Sequence, residues 1–559
     1  MKDGGTRNRF VTLAGILVIV MFSWFLMTHT LAYDASRSEI KIASKLWSDF
    51  GAHIPLVRSF SQGANMHRLF TALPVESPLF PGEPIRYHFG FYAIAGMLER
   101  LGLRIDWAIN IPSIIGFSML LVFIFLLSGR LFNNYWVSFL SVIFFLCNGS
   151  LAFASFFSNH PLSVATPLDI INNSVFPAFG PWDSGNITAF WTLNIYTNQR
   201  HLALSYGLLL GLLYILYKPA RISWRTGVLA GAIASILLFV NFAAAGIAAL
   251  LLFWIFISQK KLRLSLLVTA GMGLITFAAM NSASNVSTGI AWQPGYLISE
   301  TLTPLTFIIF WIENIGLHIT LIPLGMLLAP KEVKRYVAPP LLTLFIIPNL
   351  YRFSPDMINN HKFFNFFMLI GNMFTAYAVV RILTLIRKIP AARCIKPIQL
   401  IVGSILISLL TLSGIIDFFP VLNDRMGNVA DNPMSADAQF FATNTKTTDI
   451  VANTTWFYHP ASIAGRSLFS GYTYFTWSYG YDQVSREFSL KQIYEAASVA
   501  DACRALEASN VAWIELNPNP ESYLHPNWDV WNSFTPQYTN PVSLLKVYKT
   551  DDICSYAGI

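Results

Sequence analysis

The sequence predicts an α-helical, multi-pass membrane protein of about eleven transmembrane helices, with a small C-terminal α/β domain outside the cytoplasm. Three observations support this fold class. The 559 residues are 54% hydrophobic and only 12% charged, whereas soluble proteins contain about 25% charged residues. Apolar runs recur along the chain that are long enough to span about 30 Å of hydrocarbon. Lysine and arginine fall in alternate connections between these runs, which is the positive-inside pattern.

The first apolar run, Phe10 to Tyr33, is too long for the core of a signal peptide and is expected to remain as a transmembrane helix. Lys2, Arg7 and Arg9 precede it, so we expect the N-terminus in the cytoplasm. The net charge of +8 does not indicate a nucleic-acid partner, because the basic residues lie between membrane spans. The expected location is the bacterial inner (plasma) membrane, among membrane lipids.

Two domains are expected. Residues 1–420 form the transmembrane domain, which includes an external loop over residues 33–106 with surface helices. Residues 421–559 form a soluble domain that is periplasmic or extracellular. Within the first domain, the run Tyr135 to Phe157 predicts one crossing. The run Leu302 to Leu328 is interrupted by polar residues, so it either crosses directly or dips and re-emerges.

The composition changes after Pro420, and the remaining chain shows the short periodic segments of a soluble α/β domain. Ser435 to Asn444 has helical spacing after a serine that can cap a helix. Asp449 to Thr454 and Val511 to Leu516 predict buried strands, and Leu544 to Tyr548 a final strand. Leu490 to Ser509 is expected to be helical.

Cys503 and Cys554 both lie in the predicted external domain. In an oxidising compartment they could form a disulfide, and otherwise they are two unrelated thiols. The sequence leaves both alternatives open.

The external loop is rich in titratable side chains, although it lies between two long apolar runs. Ionisable groups close to a bilayer are costly and are usually kept for function or anchoring. We therefore expect chemistry in this loop, whose titratable residues include Asp34, Asp49, His53, Arg58, Arg86 and His88.

Asp49 and His53 are four residues apart, so a helix would place them one turn apart on the same side. The helix would then rest on the membrane surface with an apolar side formed by Ile54, Leu56, Val57 and Phe60. A carboxylate there, with a histidine beside it, could accept a proton from an incoming hydroxyl. A solvated amphipathic helix that Asp49 merely caps is the alternative, and periodicity alone favours it.

These residues resemble the GT-C superfamily, which comprises polytopic glycosyltransferases that use polyprenyl-phosphate sugars. The resemblance extends to the mannosyltransferase-like and aminoarabinose-transferase-like members and covers roughly residues 10–220. It is carried by the apolar first helix and Asp49, and by the segments Pro84-Ile-Arg-Tyr-His-Phe-Gly-Phe-Tyr92, Ala95-Gly-Met-Leu-Glu-Arg-Leu-Gly102, Asn110-Ile-Pro-Ser113 and Gly129-Arg-Leu-Phe132. Many members have two adjacent acids in the first loop, whereas Phe50 follows Asp49 here.

The resemblance implies transfer of a monosaccharide from a polyprenyl-phosphate-linked donor to an extracytoplasmic glycan, lipid or protein acceptor, with inversion, as in cell-envelope glycosylation. Asp49 is the preferred catalytic base and Asp34 the second choice, with His53 orienting the base. No cofactor is certain. Some relatives use a divalent cation, but no metal ligand can be named in this sequence.

Basic residues at the ends of predicted helices are candidates for binding the donor phosphate, because a cation and a helix N-terminus both favour an anion. By the resemblance, His361 and Lys362 look like the late external basic position of the family. Arg200 and His201 begin another predicted span, and Arg86 and His88 are further candidates. The alternative is that these side chains only anchor the helices at the lipid headgroups.

Two other function classes fit a polytopic protein of this kind. A transporter or flippase of lipid-linked sugar would have ionisable residues inside its spans and paired broken helices. Glu313 and His318 are the exceptions to the general placement of charged residues at one membrane face. A non-catalytic relative that only binds glycan is the third possibility.

Overall fold

The computed structural model describes residues 3–71, 73–180, 187–217, 223–281, 289–387, 395–520 and 523–556. Lys2, one of the basic residues that predict the orientation of the N-terminus, lies outside these ranges. The chain divides into two compact units. The first unit comprises Met1–His29, Ser113–Ala279 and Thr288–Arg425, and the second comprises Thr30–Pro112, Met280–Ser287 and Met426–Ile559. The external loop that the sequence places in the transmembrane domain therefore clusters with the C-terminal residues.

Helices make up most of the first unit. Those that lie wholly or mainly in it are Asp3–Thr30, Ile105–Phe132, Tyr135–Leu146, Ala152–Asn159, Thr166–Ile171, Leu193–Asn198, Arg200–Leu216, Trp224–Val240, Phe242–Ser258, Arg263–Asn281, Pro304–Ile315, His318–Leu328, Lys331–Tyr336, Ala338–Leu350, His361–Ile386 and Ile395–Leu422. Among the described residues, five helical segments are long and apolar enough to cross a membrane by length and composition, or six if one bent pair counts as a single span. Four shorter apolar helices accompany them. Ala291–Trp292 and Tyr351–Arg352 form a two-stranded ribbon.

The bent pair is the run from residue 302 to 328. The helices Pro304–Ile315 and His318–Leu328 meet at an angle of 88°. Gly316 lies at the break with a φ of 54°, a conformation that glycine adopts without a steric penalty. The interruption that the polar residues predict is therefore confirmed.

The run from residue 135 to 157, which predicts one crossing, contains two helices. The helix Tyr135–Leu146 ends before Asn148, and a new helix begins at Ala152. At the break, a Cβ added to Gly149 would lie only 2.5 Å from the carbonyl oxygen of Leu410. The close approach of two backbones displaces the regular helix here, and Ser150 Oγ accepts the Ala152 N–H at 3.1 Å to start the next one.

In the second unit, a three-stranded antiparallel sheet joins the first loop to the C-terminal residues. The strands Leu31–Asp34, Glu39–Ala43 and Met426–Ala430 pair in that order, with Ile40 opposite Val429. Backbone hydrogen bonds across this ladder explain why the loop clusters with residues after 425. A two-stranded ribbon, Glu76–Ser77 with Phe80–Pro84, also belongs to this unit.

A five-stranded mixed sheet forms the centre of the C-terminal part. Its order across the sheet is Tyr538–Thr539, Lys546–Lys549, Trp513–Leu516, Ile450–Ala452 and Ser467–Leu468. The predicted strands after Asp449 and Val511 are confirmed as neighbours that run parallel, with Ile514 opposite Ala452. Every residue of the strand that follows Val511 is buried, including Glu515, as expected of a strand that is covered on both faces of the sheet.

The helices of the second unit are Trp47–Ser61, Asn65–Phe70, Gly90–Arg100, Ala436–Asn444, Pro460–Ile463, Thr473–Ser478, Gln483–Tyr494, Val499–Ala508, Trp528–Trp531 and Thr550–Tyr556. The predicted serine cap is confirmed, because Ser435 Oγ accepts the Ala438 N–H at 3.2 Å. The single helix predicted from residue 490 to 509 is wrong. Ser498 instead caps a second helix by accepting the Asp501 N–H at 3.2 Å.

Cys503 and Cys554 form a disulfide, with their Cα atoms 5.1 Å apart. It joins the helix Val499–Ala508 to the last described helix, Thr550–Tyr556. The alternative of two unrelated thiols is therefore excluded.

Candidate functional site

Asp49 lies in the first turn of the helix Trp47–Ser61 and is partly exposed. A carboxylate at this end of a helix is stabilised by the unpaired N–H groups of the first turn. The rest of the helix, from Phe50 to Ser61, is buried. Asp49 is thus an accessible carboxylate on a rigidly held helix.

The hypothesis that this helix rests its apolar side on the membrane surface is wrong. Ile54, Val57 and Phe60 are fully buried inside the protein. They face protein because the helix packs against Gly90–Arg100, where a Cβ on Gly96 would lie 2.7 Å from the Val57 carbonyl oxygen. An apolar helix side covered by another helix has no apolar surface left for lipid.

A buried ion-pair network fixes the same helix. The Arg58 guanidinium lies 2.7 Å from the Asp431 carboxylate and 3.3 Å from that of Glu99. Ser61 Oγ donates to the Glu99 carboxylate at 2.5 Å, yet burial still raises the pKa of Glu99 above its usual value. Arg58 therefore has a structural role, as the cation shared by Glu99 and Asp431.

Four tyrosines lie close enough to Asp49 for the charge of its carboxylate to act on their phenols. Burial raises the pKa of the phenols of Tyr87, Tyr92, Tyr458 and Tyr479, and the negative charge of Asp49 raises each of them further. At neutral pH these phenols therefore keep their protons and can donate hydrogen bonds. We call these four residues the tyrosine cluster.

Ring contacts hold the tyrosine cluster in place. The rings of Tyr87 and Tyr479 stack with centroids 4.6 Å apart. Tyr92 lies 4.9 Å from the ring of His53, and Tyr458 lies 4.4 Å from that of Trp47. The helix that carries Asp49 therefore contacts the cluster on two sides.

Gly51 allows Phe457, the residue before Tyr458, to approach the helix. A Cβ at position 51 would lie 2.1 Å from Cδ1 of the Phe457 ring. The sequence showed Asp49, Gly51 and His53 together, but the function of the glycine is visible only once Phe457 is placed beside it.

His53, the predicted orienting residue, is buried one turn after Asp49, with its ring 5.4 Å from that of Phe50 and close to Tyr92. Contacts with the rings of Phe50 and Tyr92 fix the orientation of the His53 imidazole. The role of His53 towards Asp49 stays a prediction.

Asp34, the second candidate base, lies in the hairpin strand Leu31–Asp34. Its carboxylate accepts hydrogen bonds from Ser36 Oγ at 2.6 Å and Ser36 N at 3.1 Å, and it pairs with Lys41 at 2.9 Å. Hydrogen bonding by Ser36, followed by that of Lys41, holds the pKa of Asp34 well below its usual range. A carboxylate with so low a pKa is a weak base, so the structure favours Asp49.

Arg86 and His88, two candidate phosphate ligands, also belong to the second unit. The Arg86 guanidinium pairs with Glu83 at 3.0 Å, donates to the Gly480 carbonyl and lies 4.9 Å from the Tyr481 ring centre. These contacts fix the segment that carries Tyr479. His88 is buried, with its ring against that of Tyr87.

The other phosphate candidates come together in the first unit. His361 Nε2 lies 3.4 Å from Nε2 of Gln199, the residue before Arg200. The Tyr206 hydroxyl donates to the Lys362 carbonyl. The starts of the helices Arg200–Leu216 and His361–Ile386 are therefore adjacent, although 161 positions separate Arg200 from His361 in the sequence.

All four basic residues of this group are buried: Arg200, His201, His361 and Lys362. Arg200 Nε donates to the Thr197 carbonyl at 2.7 Å and its NH2 to that of Met27 at 3.2 Å. Lys362 Nζ donates to Asn359 Oδ1 at 3.4 Å. Burial of cations is costly, and these carbonyl and amide oxygens offset part of that cost.

Buried amide oxygens lie beside these cations. Asn194 Oδ1, Asn198 Oδ1 and Gln199 Oε1 have no hydrogen-bond partner among the residues that the structure describes. Buried acceptors are normally satisfied, so these oxygens are available to donors from a ligand.

An apolar groove of about 470 Å³ lies in the same unit, between the helices Pro304–Ile315 and Ala338–Leu350. Leu302, Phe307 and Phe345 contribute to its lining. The Phe345 ring lies 6.1 Å from that of Phe364, two residues after Lys362. The groove thus adjoins the helix that carries the buried lysine.

Over the described part of the chain, one group of residues, Cys503, Glu507 and Cys554, has three potential metal-ligand atoms close together. Both cysteines belong to the disulfide, so their sulfur atoms are not available as thiolate ligands.

No protein-family model matches the chain, and no curated protein matches it in sequence. Solved structures with a similar fold include the following two. The chain aligns with ArnT from Cupriavidus metallidurans, bound to undecaprenyl phosphate, at a TM-score of 0.52 and 8% identity, over 97% of this chain and 98% of that one. It aligns with the arabinofuranosyltransferase AftD from Mycobacteria at a TM-score of 0.51 and 10% identity, over 96% of this chain and 41% of that one.

Identities this low show the fold alone. The two similar proteins are GT-C glycosyltransferases, which is the superfamily that the residues around Asp49 resemble. The resemblance is therefore confirmed at the level of fold: this chain has the fold of these GT-C glycosyltransferases.

Proposed function

We propose that this protein is a membrane glycosyltransferase that transfers one sugar from a polyprenyl-phosphate donor to an acceptor outside the cytoplasm. The observation that carries the proposal is the accessible Asp49 carboxylate, held on a buried helix among four protonated tyrosines. The GT-C fold supports the reaction class, and one of the two similar structures contains undecaprenyl phosphate.

Asp49 is the proposed base. It removes the proton of an acceptor hydroxyl as the acceptor oxygen attacks the anomeric carbon of the sugar. The bond from that carbon to the phosphate oxygen breaks, and the polyprenyl phosphate leaves as an anion. In-line attack inverts the anomeric centre. The protonated tyrosines can donate hydrogen bonds to the sugar or the acceptor.

Lys362, His361, Arg200 and His201 are the proposed ligands of the donor phosphate. Cations in a water-poor site stabilise a developing anion more strongly than they do in water. The free amide oxygens of Asn194 and Asn198 suit hydroxyl groups, and the apolar groove along Phe345 suits the first isoprene units of the tail.

We further propose about eleven crossings, with the N-terminus in the cytoplasm of a bacterium and the residues after 425 in the periplasm. Four shorter apolar helices, added to the five or six longer spans, provide most of that number. The disulfide between Cys503 and Cys554 supports an oxidising compartment. Reporter fusions test this topology: a periplasm-dependent phosphatase should be active after residue 556 and inactive after Gln259, and the reverse result would refute the orientation.

The decisive experiment compares Asp49→Asn with Asp34→Asn in cells that lack the native protein. Asn keeps the shape of Asp but cannot act as a base, so Asp49→Asn should abolish the glycan modification that the wild type restores. Asp34→Asn should leave it intact. A folded, membrane-inserted Asp49→Asn variant that restores the modification would refute the assignment. Mass spectrometry of envelope glycans and glycoproteins provides the readout and identifies the sugar and the acceptor.

A flippase of lipid-linked sugar is the second candidate, and specific observations favour it. The break at Gly316 interrupts a span, and His318 is fully buried next to it, with Nδ1 3.1 Å from Thr375 Oγ1. Asp417 is also buried in the last long helix. Buried ionisable groups and broken helices are features of transporters. Purified protein in vesicles that moves lipid-linked sugar across the bilayer without any transfer would support this alternative.

A further inference from the structure

The stretch from residue 158 to 175 presents apolar side chains on the outside of the first unit. Five large apolar residues in it are exposed: Leu162, Val164, Leu168, Ile171 and Val175. We call this stretch the apolar segment. A run of exposed apolar side chains on a folded protein usually marks a surface that contacts a membrane or another molecule.

The composition of the apolar segment limits the kind of partner that it suits. The segment has no lysine or arginine, and Asp169 is its one charged residue when His160 is neutral. Basic side chains are what attract anionic lipid headgroups and nucleic acids. The segment therefore suits a partner that is apolar and does not depend on charge.

Local hydrogen bonds satisfy backbone groups within the apolar segment. Thr166 Oγ1 accepts the Ser163 N–H at 2.9 Å, and Ser163 Oγ accepts the Ala165 N–H at 3.1 Å. The Asn172 N–H donates to the Leu168 carbonyl at 2.9 Å. Unpaired backbone groups are costly in an apolar medium, so internal pairing of this kind allows the exposed side chains to enter one.

The apolar segment is attached to the end of a candidate membrane span. Asn423 directly follows the helix Ile395–Leu422, which is long and apolar enough to cross a membrane. Its Nδ2 donates to the carbonyl oxygen of Ile171 at 2.7 Å and to that of Asn173 at 2.9 Å. These two bonds hold the segment at the level where the last span ends.

The first candidate span ends at the same level. His29, in the last turn of the helix Asp3–Thr30, has its Nε2 atom 2.8 Å from the carbonyl oxygen of Leu422. This helix is also long and apolar enough to cross a membrane. The lipid around these two spans therefore reaches its surface at the depth of the apolar segment.

We propose that the apolar segment is inserted in the lipid leaflet at which the first and last spans end, with Val164 and Leu168 among the acyl chains. Segments of this kind lie in the plane of the interface, with their apolar side chains about 5–10 Å into the boundary between headgroups and acyl chains. Insertion removes apolar surface from water, which is favourable without any charge. A lipid surface is favoured over a second copy of this chain, because the segment lies at the depth where lipid already surrounds the spans.

Spin-label depth measurements on the full-length protein in phosphatidylcholine vesicles test the proposal. Val164→Cys and Leu168→Cys are labelled separately, in a background that carries Cys147→Ser and Cys394→Ser and keeps the disulfide. Oxygen concentrates in lipid and a nickel chelate concentrates in water. The ratio of their collision rates with the label therefore reports how deep the label lies.

Two matched positions calibrate this ratio. Leu400→Cys replaces an exposed leucine of the helix Ile395–Leu422 and is the reference inside the membrane. Val484→Cys replaces an exposed valine of the helix Gln483–Tyr494 in the second unit and is the reference in water. The ratio of oxygen to nickel collisions in the apolar segment should be several-fold above that at position 484 and below that at position 400.

The lipid composition tests the apolar basis of the insertion. Vesicles that contain phosphatidylglycerol should give the same ratio, because the segment has no lysine or arginine. A ratio equal to that at position 484 would place the segment in water and overturn the proposal, as would a ratio that rises only with phosphatidylglycerol. If the ratio is low and the labels of two copies show dipolar coupling, a second copy covers the segment and the proposal is wrong.

Discussion

The Arg58 guanidinium lies 2.7 Å from the Asp431 carboxylate, across 373 positions of sequence, and both groups are buried. This pair links the helix that carries Asp49 to the segment that follows the last long helix. Glu99 completes the network from the neighbouring helix Gly90–Arg100. The position of the candidate base therefore depends on a contact between distant parts of the chain.

Removing Arg58 should destabilise the protein strongly. Arg58→Ala leaves two buried carboxylates without their cation, which costs about 3–5 kcal/mol. Thermal unfolding of the purified protein, followed by tryptophan fluorescence, measures the effect. Arg504→Ala is the matched control, because Arg504 pairs with Asp501 on the exposed surface of the same unit. Surface pairs contribute about 0–1 kcal/mol. Equal destabilisation by the two variants would contradict the role of the buried network.

Gly51 should not tolerate a methyl group. Gly51→Ala places a Cβ 2.1 Å from the ring of Phe457, so the ring must shift at a cost of about 1–3 kcal/mol. Gly246→Ala is the control, since a Cβ there meets nothing within 4 Å and alanine favours a helix. A lower melting temperature is expected for Gly51→Ala alone.

A smaller residue at position 457 should restore part of the stability that Gly51→Ala loses. The double variant Gly51→Ala/Phe457→Leu is expected to recover part of the stability that Gly51→Ala loses, because the steric conflict is relieved. Strict additivity of the two substitutions would show that the ring of Phe457 is not the obstacle.

The two titrating acids of this unit should give opposite pH dependences. Burial raises the pKa of Glu99 above the usual 4.5, so its contribution to stability is present below that pH and is lost as pH rises through the folded-state pKa. Hydrogen bonds of Ser36 and Lys41 lower the pKa of Asp34, so its contribution is present above the usual carboxyl pKa and is lost as pH falls.

Melting temperatures between pH 2 and 8 measure both effects. Compared with wild type, Glu99→Gln should flatten the loss of stability towards high pH, whereas Asp34→Asn should flatten the loss towards low pH. The reverse assignment, or no change of slope in either variant, would contradict the environments described for the two carboxyl groups.

Loss of the disulfide should destabilise the second unit. Cys503→Ser/Cys554→Ser opens a loop whose ends are 51 positions apart, and removal of such a cross-link costs about 2–4 kcal/mol. Chemical unfolding with and without reductant measures the contribution of the disulfide to the free energy of unfolding. The reductant should lower the stability of the wild type and leave that of the double variant unchanged. Cys147→Ser is the control for thiol chemistry, because Cys147 is a free cysteine.

Lys362→Gln should weaken the binding of polyprenyl phosphate at least tenfold, since a cation at the phosphate contributes about 1.5–3 kcal/mol as a charged hydrogen bond. Native mass spectrometry with undecaprenyl phosphate provides the measurement. Lys331→Gln removes an exposed lysine from another helix of the same unit and should bind normally. Unchanged binding by a folded Lys362→Gln variant would remove Lys362 from the phosphate site.

Much of the membrane architecture could be predicted from local pattern. Apolar runs must be long enough to span hydrocarbon, and the polar interruption near Gly316 is costly there, so both leave a signal in the sequence itself. The helix of Asp49 and its one-turn spacing to His53 follow from the same kind of periodicity. The break after Leu146 left no comparable signal, because it depends on how closely Gly149 approaches Leu410.

The surroundings of Asp49 depend on tertiary structure. Tyr458 and Tyr479 come from positions more than 400 residues away, and an aromatic content of 15% does not indicate which rings will meet. Tyrosines recur between residues 472 and 481, but a packing cluster explains such a pattern without any site.

The sequence by itself determined the class of protein, because hydropathy and charge placement are properties of neighbouring residues. The choice of Asp49 as candidate base came from the resemblance of the residues around it to a known superfamily. The tertiary structure decided that the Asp49 helix is covered by protein, that Asp34 is held by Ser36 and Lys41, and that His361 meets Gln199. These outcomes depend on shape complementarity between distant segments. No local pattern encodes that complementarity, because each segment could bury its apolar side against many partners.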